Sequence, residues 1–233
     1  MRGSLDGKTE GFGPFVMGSN PISSVRKLTM STTFTGTRIT FPSFTGIRCL
    51  MMPFIQGDPD SVPAEYQSYA DILERVFAEP GDIGYLTIDE SVASAGKPHR
   101  GSRAATDRAL HTEVGRIPGM DYVWGGGGWS TAHRTVLERD TPILLANNLD
   151  DSCAVWDTTH ENTSHDGDIG HFAHLYPYSD AIMMKAGDVH RIGILTPHES
   201  LPMRTDFKRQ FLRIIGRGVH GTEPYFTRNP LLN

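Results

Sequence analysis

Apolar positions in this chain come in short runs. The segments at 83–89 (IGYLTID), 142–147 (PILLAN), 152–158 (SCAVWDT), 181–185 (AIMMK), 189–196 (VHRIGILT) and 209–215 (RQFLRII) are either apolar or alternating. That length and texture predict β-strands. Turn formers separate them, as at Gly96-Lys97-Pro98, Asn147 to Asp151 and Ala186-Gly187-Asp188. Residues 38–55 add short β-type runs broken by Pro42 and Gly46. One stretch keeps helical spacing instead, through Tyr66, Tyr69, Ile72, Leu73, Val76 and Phe77. Asp60 or Ser61 serves as its cap, Pro63 sits in its first turn and Pro80-Gly81 ends it. The spacing predicts one helix over 62–79, packed outside a sheet. Helical patterns do not alternate with the strands, which excludes a doubly wound α/β fold. The expectation is a mainly β chain, a sandwich or jelly-roll barrel with one outer helix.

Composition narrows the partners. The chain has 233 residues, 38% of them hydrophobic, enough for one sizeable core. Residues 1–29 are rich in glycine and aperiodic, so they read as a flexible N-terminal extension, with 30–233 as a single domain. A net charge of −5 disfavours nucleic acid and anionic membrane surfaces as partners. Cys49 and Cys153 form no C-x-x-C pair, which fits a reducing, cytoplasmic setting and argues against a thiolate zinc site. No apolar run is long enough to cross a bilayer.

Candidate chemistry gathers on histidines. There is no G-x-S-x-G elbow and no G-x-x-x-x-G-K-[ST] loop. The glycines at 125–128 join no strand to a helix and read as a mobile loop or lid. Ten histidines are present, and His111-Thr112-Glu113 is the H-x-[DE] pattern among them. If 109–114 is a strand, His111 and Glu113 share a face at roughly 6–7 Å, close enough to grip one metal ion. His198, which ends the run VHRIGILTPH, is the candidate third ligand. Two imidazoles and one carboxylate on one side of a metal form the facial triad of non-haem Fe(II) oxygenases. With ten residues between it and His198, the strand RQFLRII turns Arg209, Phe211 and Arg213 to one face, with Leu212 and Ile214 on the other. A guanidinium beside the metal can bind the far carboxylate of a 2-oxo dicarboxylate in a two-pronged way. Arg209 is the first candidate for that role and Arg213 the reserve.

H-x-[DE], a long gap and H-x10-R resemble the motif of the Fe(II)/2-oxoglutarate-dependent dioxygenases. The stretch GDVHRIGILTPHESLPMRTDFKRQFLR, from Gly187 to Arg213, looks like the last strands of that family's double-stranded β-helix core. His198-x-Ser200-x-Pro202 is similar to the phytanoyl-CoA hydroxylase-type subgroup. The resemblance covers residues 83–215 at most. It implies His111, Glu113 and His198 as iron ligands, Arg209 as the 2-oxoglutarate anchor and Ser200 as its helper. The partners it implies are O2 and a small-molecule substrate, oxidised at a C–H bond with succinate and CO2 as co-products. Two positions depart from the common pattern: the acid is Glu rather than Asp, and Met203 stands where the subgroup has asparagine.

Two other functions fit the same pattern of residues. One is a metal cupin of another reaction class, drawing on a further histidine such as His190. The other is a non-catalytic jelly-roll binding module. For a substrate, the loops at 91–108 and 117–140 carry Arg100 and Arg108 on one side and Tyr122 and Trp129 on the other. Trp156, in the 152–158 run, joins that set, which suits an anionic or aromatic small molecule.

Overall fold

The computed structural model describes residues 32–99, 108–113, 115–116, 122–124, 135–136, 139–161, 167–216 and 226–232. Among them the strands are β1 (Thr33–Arg38), β2 (Arg48–Ile55), β3 (Ile83–Ala93), β4 (Gly115–Arg116), β5 (Tyr122–Trp124), β6 (Thr135–Val136), β7 (Pro142–Asn147), β8 (Cys153–Val155), β9 (Ile182–Met183), β10 (Asp188–Gly193), β11 (His198–Ser200) and β12 (Phe207–Ile215). The chain is mainly β, and its sheets are antiparallel. A six-stranded sheet has the order β1-β10-β7-β12-β3-β2. A second sheet has the order β11-β8-β9, and a third, β4-β5-β6, lies apart in pairing. Among the described residues no helix is long and apolar enough to cross a membrane. The extension 1–29, the glycines at 125–128, Arg100 and Trp129 lie outside the described residues.

Alternation along the large sheet sorts its side chains into two layers. Leu86, Ile88, Leu144, Ala146, Val189, Leu212 and Ile214 point to one face, where Tyr66, Tyr69, Ile72, Leu73 and Val76 cover them. Tyr85, Ile143, Leu145, Ile192 and Ile215 point to the other, against Cys153 and Val155 of the second sheet. The far side of that second sheet is closed by Ala154, Trp156, Ile169 and Tyr176. Each strand side chain reaches its layer because successive residues of a strand face opposite ways.

The expected outer helix over 62–79 is corrected in form. The stripe packs on the sheet, but as a 3-10 helix over Ala64–Tyr69 followed by a single α turn, Ala70–Leu73. Tyr66, Tyr69 and Ile72 are three residues apart, and a 3-10 helix aligns that spacing on one side as well as an α-helix does. Side chains hold the tighter form. Gln67 donates to the carbonyls of Pro59 (2.8 Å) and Val62 (2.7 Å). Phe77 falls beyond the helical end and is exposed. The cap also differs: Pro63 stands at the N-terminal cap of Ala64–Tyr69 and no side chain caps it, while Asp58 caps a separate 3-10 turn, Pro59–Ser61, by accepting the backbone N–H of Asp60.

One carboxylate ties helix, sheet and loop together. Glu90 of β3 is 2% exposed. Its Oε2 accepts the backbone N–H groups of Thr45 and Gly46, each at 2.7 Å. Its Oε1 accepts Tyr69 Oη–H (2.8 Å) and Gln210 Nε2–H (2.9 Å). Burial alone raises its carboxyl pKa. The donors from Gln210, Thr45, Tyr69 and Gly46 outweigh that and hold it below the usual value of 4.5. A lowered folded-state pKa stabilises the fold above that usual value, and this contribution is lost as pH falls through the folded pKa. Glu90→Gln turns an NH2 group toward donors, at about 1–3 kcal/mol for each one left unsatisfied. Denaturant midpoints measured from pH 7 down to pH 3 should show the variant less stable at neutral pH, with a shallower acid decline than the parent.

Candidate metal centre

Residues 108–113 run along the free edge of β11. They do not form the six-residue strand expected at 109–114. His111 alone makes bridges, to His198 on one side and Asp168 on the other. The first bridge is reciprocal: His111 N–H donates to His198 O (3.0 Å) and His198 N–H to His111 O (2.9 Å). Further along, Glu113 N–H donates to Ile194 O at 3.1 Å. The chain bends at Glu113, yet these bonds bring its carboxylate to the imidazole side of His198.

His111, Glu113 and His198 are all buried, and one ligand-type atom from each lies within 4.8 Å of the others. His198 Nε2 stands 3.1 Å from Glu113 Oε1. Two donors bound at right angles to one ion about 2.0–2.2 Å away are about 3 Å apart, so this edge already has the size of a coordination edge. The imidazoles are oriented for the task. His111 Nδ1 lies 2.8 Å from Ala109 O, and His198 Nδ1 lies 2.9 Å from Thr196 O. A carbonyl only accepts, so each Nδ1 carries the proton that bonds it, and Nε2 is the ring nitrogen left to hold an ion, which at His198 would take the place of the hydrogen bond from Nε2 to Glu113 Oε1. The donor set therefore fits a divalent cation.

Glu113 has a second partner. Its Oε2 accepts Arg213 Nη1–H at 2.7 Å. Burial pushes the Glu113 carboxyl up, but the Arg213 charge, the His198 hydrogen bond and both histidines hold it well below its ordinary value. Arg213, expected as the reserve co-substrate anchor, thus has its guanidinium joined to a candidate ligand.

Arg209 lies four residues earlier on the same face of β12 and is 2% exposed. Its Nη1 donates to Ser200 Oγ of β11, and its Nε has no partner. Among the described residues no carboxylate lies within ion-pair distance of it. Desolvation lowers its pKa, against the pull of Cys153 and Asp89. Ser91 stands opposite Arg209 on β3 and shares a short hydrogen bond with His99. Burial, reinforced by the Arg209 charge, pushes His99 down to about 4, so it is neutral at physiological pH. His99 and Ser91 were not legible in advance, because neither stands in a motif.

Arg108, at the end of the 91–108 segment, donates from Nε and Nη2 to Glu199 Oε2 at 2.9 and 2.6 Å. Its Nη1 bonds the carbonyls of Ala173 and Tyr176, each at 3.0 Å. Trp156 and Tyr178 flank its guanidinium at 5.3 and 4.4 Å. Trp156 thus packs in the layer behind the second sheet, its indole N–H donated to Pro177 O at 3.0 Å. Tyr122 lies on β5. His190, offered above as an extra ligand, is buried on β10 with its Nδ1 unpartnered, outside the cluster of three donors. Comparison with family models, with curated proteins and with solved structures finds no match to this chain.

Proposed function

We propose that this protein is an Fe(II)- and 2-oxoglutarate-dependent dioxygenase that oxidises a C–H bond of a small molecule. The observation that carries the reading is a juxtaposition: a buried two-histidine, one-glutamate donor set beside a buried guanidinium that lacks a carboxylate partner among the described residues. A buried charge is costly unless it is paired. Arg209 and Arg213 together bring two positive charges to a region where Glu113 brings one negative charge. A divalent cation adds to that surplus, so a dianionic co-substrate offsets most of it, and a mononuclear donor set of three leaves coordination positions for it.

Strand order supports a double-stranded β-helix as the scaffold. From β3 onward the chain alternates between layers: β3 in the large sheet, 108–113 beside the small one, β7 in the large, β8 and β9 in the small, β10 in the large, β11 in the small and β12 in the large. Apart from β4–β6, which pair in the third sheet, that alternation supports the jelly-roll reading.

In this reading, bound iron supplies the redox chemistry that divides O2 between 2-oxoglutarate and the substrate. His111, Glu113 and His198 hold the ion. Arg209, steadied by Ser200, receives the far carboxylate of the co-substrate. The apolar side chains of Phe211, Leu145 and Ile192 on the same face limit water around the site.

Two outcomes test the reading. Anaerobic addition of Fe(II) and 2-oxoglutarate should give a visible charge-transfer band; His111→Ala and His198→Ala should each abolish it while near-native circular dichroism persists. A metal cupin with no use for oxoglutarate, or a binding module, gives no such band. Arg209→Ala should leave Fe(II) uptake nearly unchanged but weaken 2-oxoglutarate by about 2–5 kcal/mol in a titration of the iron-loaded protein. Arg209→Lys should recover only part of that, because an ammonium lacks the planar fork. Unaltered 2-oxoglutarate affinity in Arg209→Ala would take the anchoring role from Arg209, and absence of the band in the parent protein would remove 2-oxoglutarate from the account.

A further inference from the structure

Glu113 has two oxygens in different company. Oε1 faces His198 Nε2, while Oε2 accepts from Arg213. Arg213 is itself anchored at its other prong, where Nη2 donates to Thr87 Oγ1 at 3.2 Å. Thr87 stands directly opposite Arg213 in the β12–β3 ladder. Its hydroxyl oxygen also accepts the backbone N–H of Met51 at 3.2 Å. Met51 is buried and has φ of 50°, an uncommon value for a residue with a side chain. It lies where the pairing of β2 with β3 shifts register between Cys49 and Met52. That irregularity turns the Met51 N–H toward the Thr87 side chain rather than into the ladder. A continuous chain of hydrogen bonds therefore runs from the β2 bulge through Thr87 and Arg213 to Glu113.

We propose that Arg213 is a positioning residue that occupies Glu113 Oε2, so that Glu113 gives the metal one oxygen rather than two, and that Thr87 sets the angle at which Arg213 does so. The inference rests on the metal-centre reading and deepens it. A carboxylate free on both oxygens can rotate and close on an ion with both. A carboxylate with Oε2 bonded to a fixed guanidinium keeps Oε1 aimed at the imidazoles and leaves one more position on the ion for an exogenous ligand. The planar fork matters because its two Nη groups serve different partners, Glu113 and Thr87. An ammonium keeps the charge and reaches only a single point, which separates positioning from electrostatics.

Co(II) is the probe, since its visible d–d bands report coordination number, and its affinity is read in the same titration. The parent protein should bind one Co(II). Arg213→Met should bind it about 10–100-fold more weakly, the range typical when an outer partner of a metal ligand is lost. Its d–d bands should also change in intensity and position. Arg213→Lys should recover part of the affinity without restoring the parent spectrum. Thr87→Val leaves every charge and ligand in place. It should shift the spectrum in the same sense as Arg213→Met, with a loss near the lower end of that range, about 10-fold. Equal affinity and an unchanged spectrum in Arg213→Met would overturn the inference and leave the metal centre standing. Tighter binding with an unchanged spectrum would overturn it too, by assigning Arg213 a purely repulsive role. If Arg213→Met does not fold, Thr87→Val decides, and parent-like behaviour there overturns the proposal. Absence of Co(II) uptake by the parent protein would overturn the metal reading, and this inference with it.

Discussion

The two backbone hydrogen bonds exchanged between His111 and His198 are the constraint on which the rest of the site depends. They set side by side two residues that are far apart in sequence, with their rings 4.0 Å apart. A strand that slips by one residue turns every side chain to the opposite face. In β11 such a slip would bring Glu199 inward and send His198 out. The opposite face of β11 resists it. Glu199 is held there by Arg108, which comes from the segment that carries His111, and the Arg108 guanidinium packs over the rings of Trp156 and Tyr178. One ion pair behind the sheet thus fixes the register that places two imidazoles in front of it.

Two buried carboxylates in this fold show opposite arrangements. Glu90 sits among neutral donors that satisfy both of its oxygens, and nothing in that group asks for a ligand. Its work is to join the 3-10 segment, β3 and the loop at Thr45 and Gly46. Glu113 is surrounded by cations and proton carriers, and one of its oxygens faces an imidazole across a distance suited to a shared ion. Arg209, four residues before Arg213 along β12, adds a charge that among the described residues donates to a neutral hydroxyl, that of Ser200. Neutral donors close the Glu90 network on itself. The second group carries an electrostatic surplus, which in a low-dielectric interior marks it as a candidate site.

Much of the scaffold was legible because it follows from short-range rules. The runs at 83–89, 142–147 and 209–215 are strands, and 189–196 is one as far as Gly193, after which the chain turns and His198 opens a strand of the other sheet; the alternation in RQFLRII correctly turned Arg209 and Arg213 away from Leu212 and Ile214. The stripe from Tyr66 to Val76 does pack on the sheet. Its helical type was not legible, since residues three apart align on either kind of helix and the Gln67 bonds to Pro59 and Val62 depend on the folded loop. His111 and Glu113 came from a local spacing, although the bend at Glu113 means that strand alternation is not what brings them together.

By itself, then, the sequence determined the β character of the chain, the inward face of β12 and the identity of three residues able to hold a metal ion, because periodicity and side-chain chemistry are properties of neighbouring residues. Tertiary structure alone decided the partners. It joined Arg213 to Glu113 and Thr87, Arg108 to Glu199, and His99 to Ser91 beside Arg209. Residues 113 and 213 meet because β12 lies in the large sheet and faces the edge of the small one, a consequence of how strands are distributed between layers. No local pattern encodes such a pairing, since the field that a buried charge feels is set by whatever the fold packs against it.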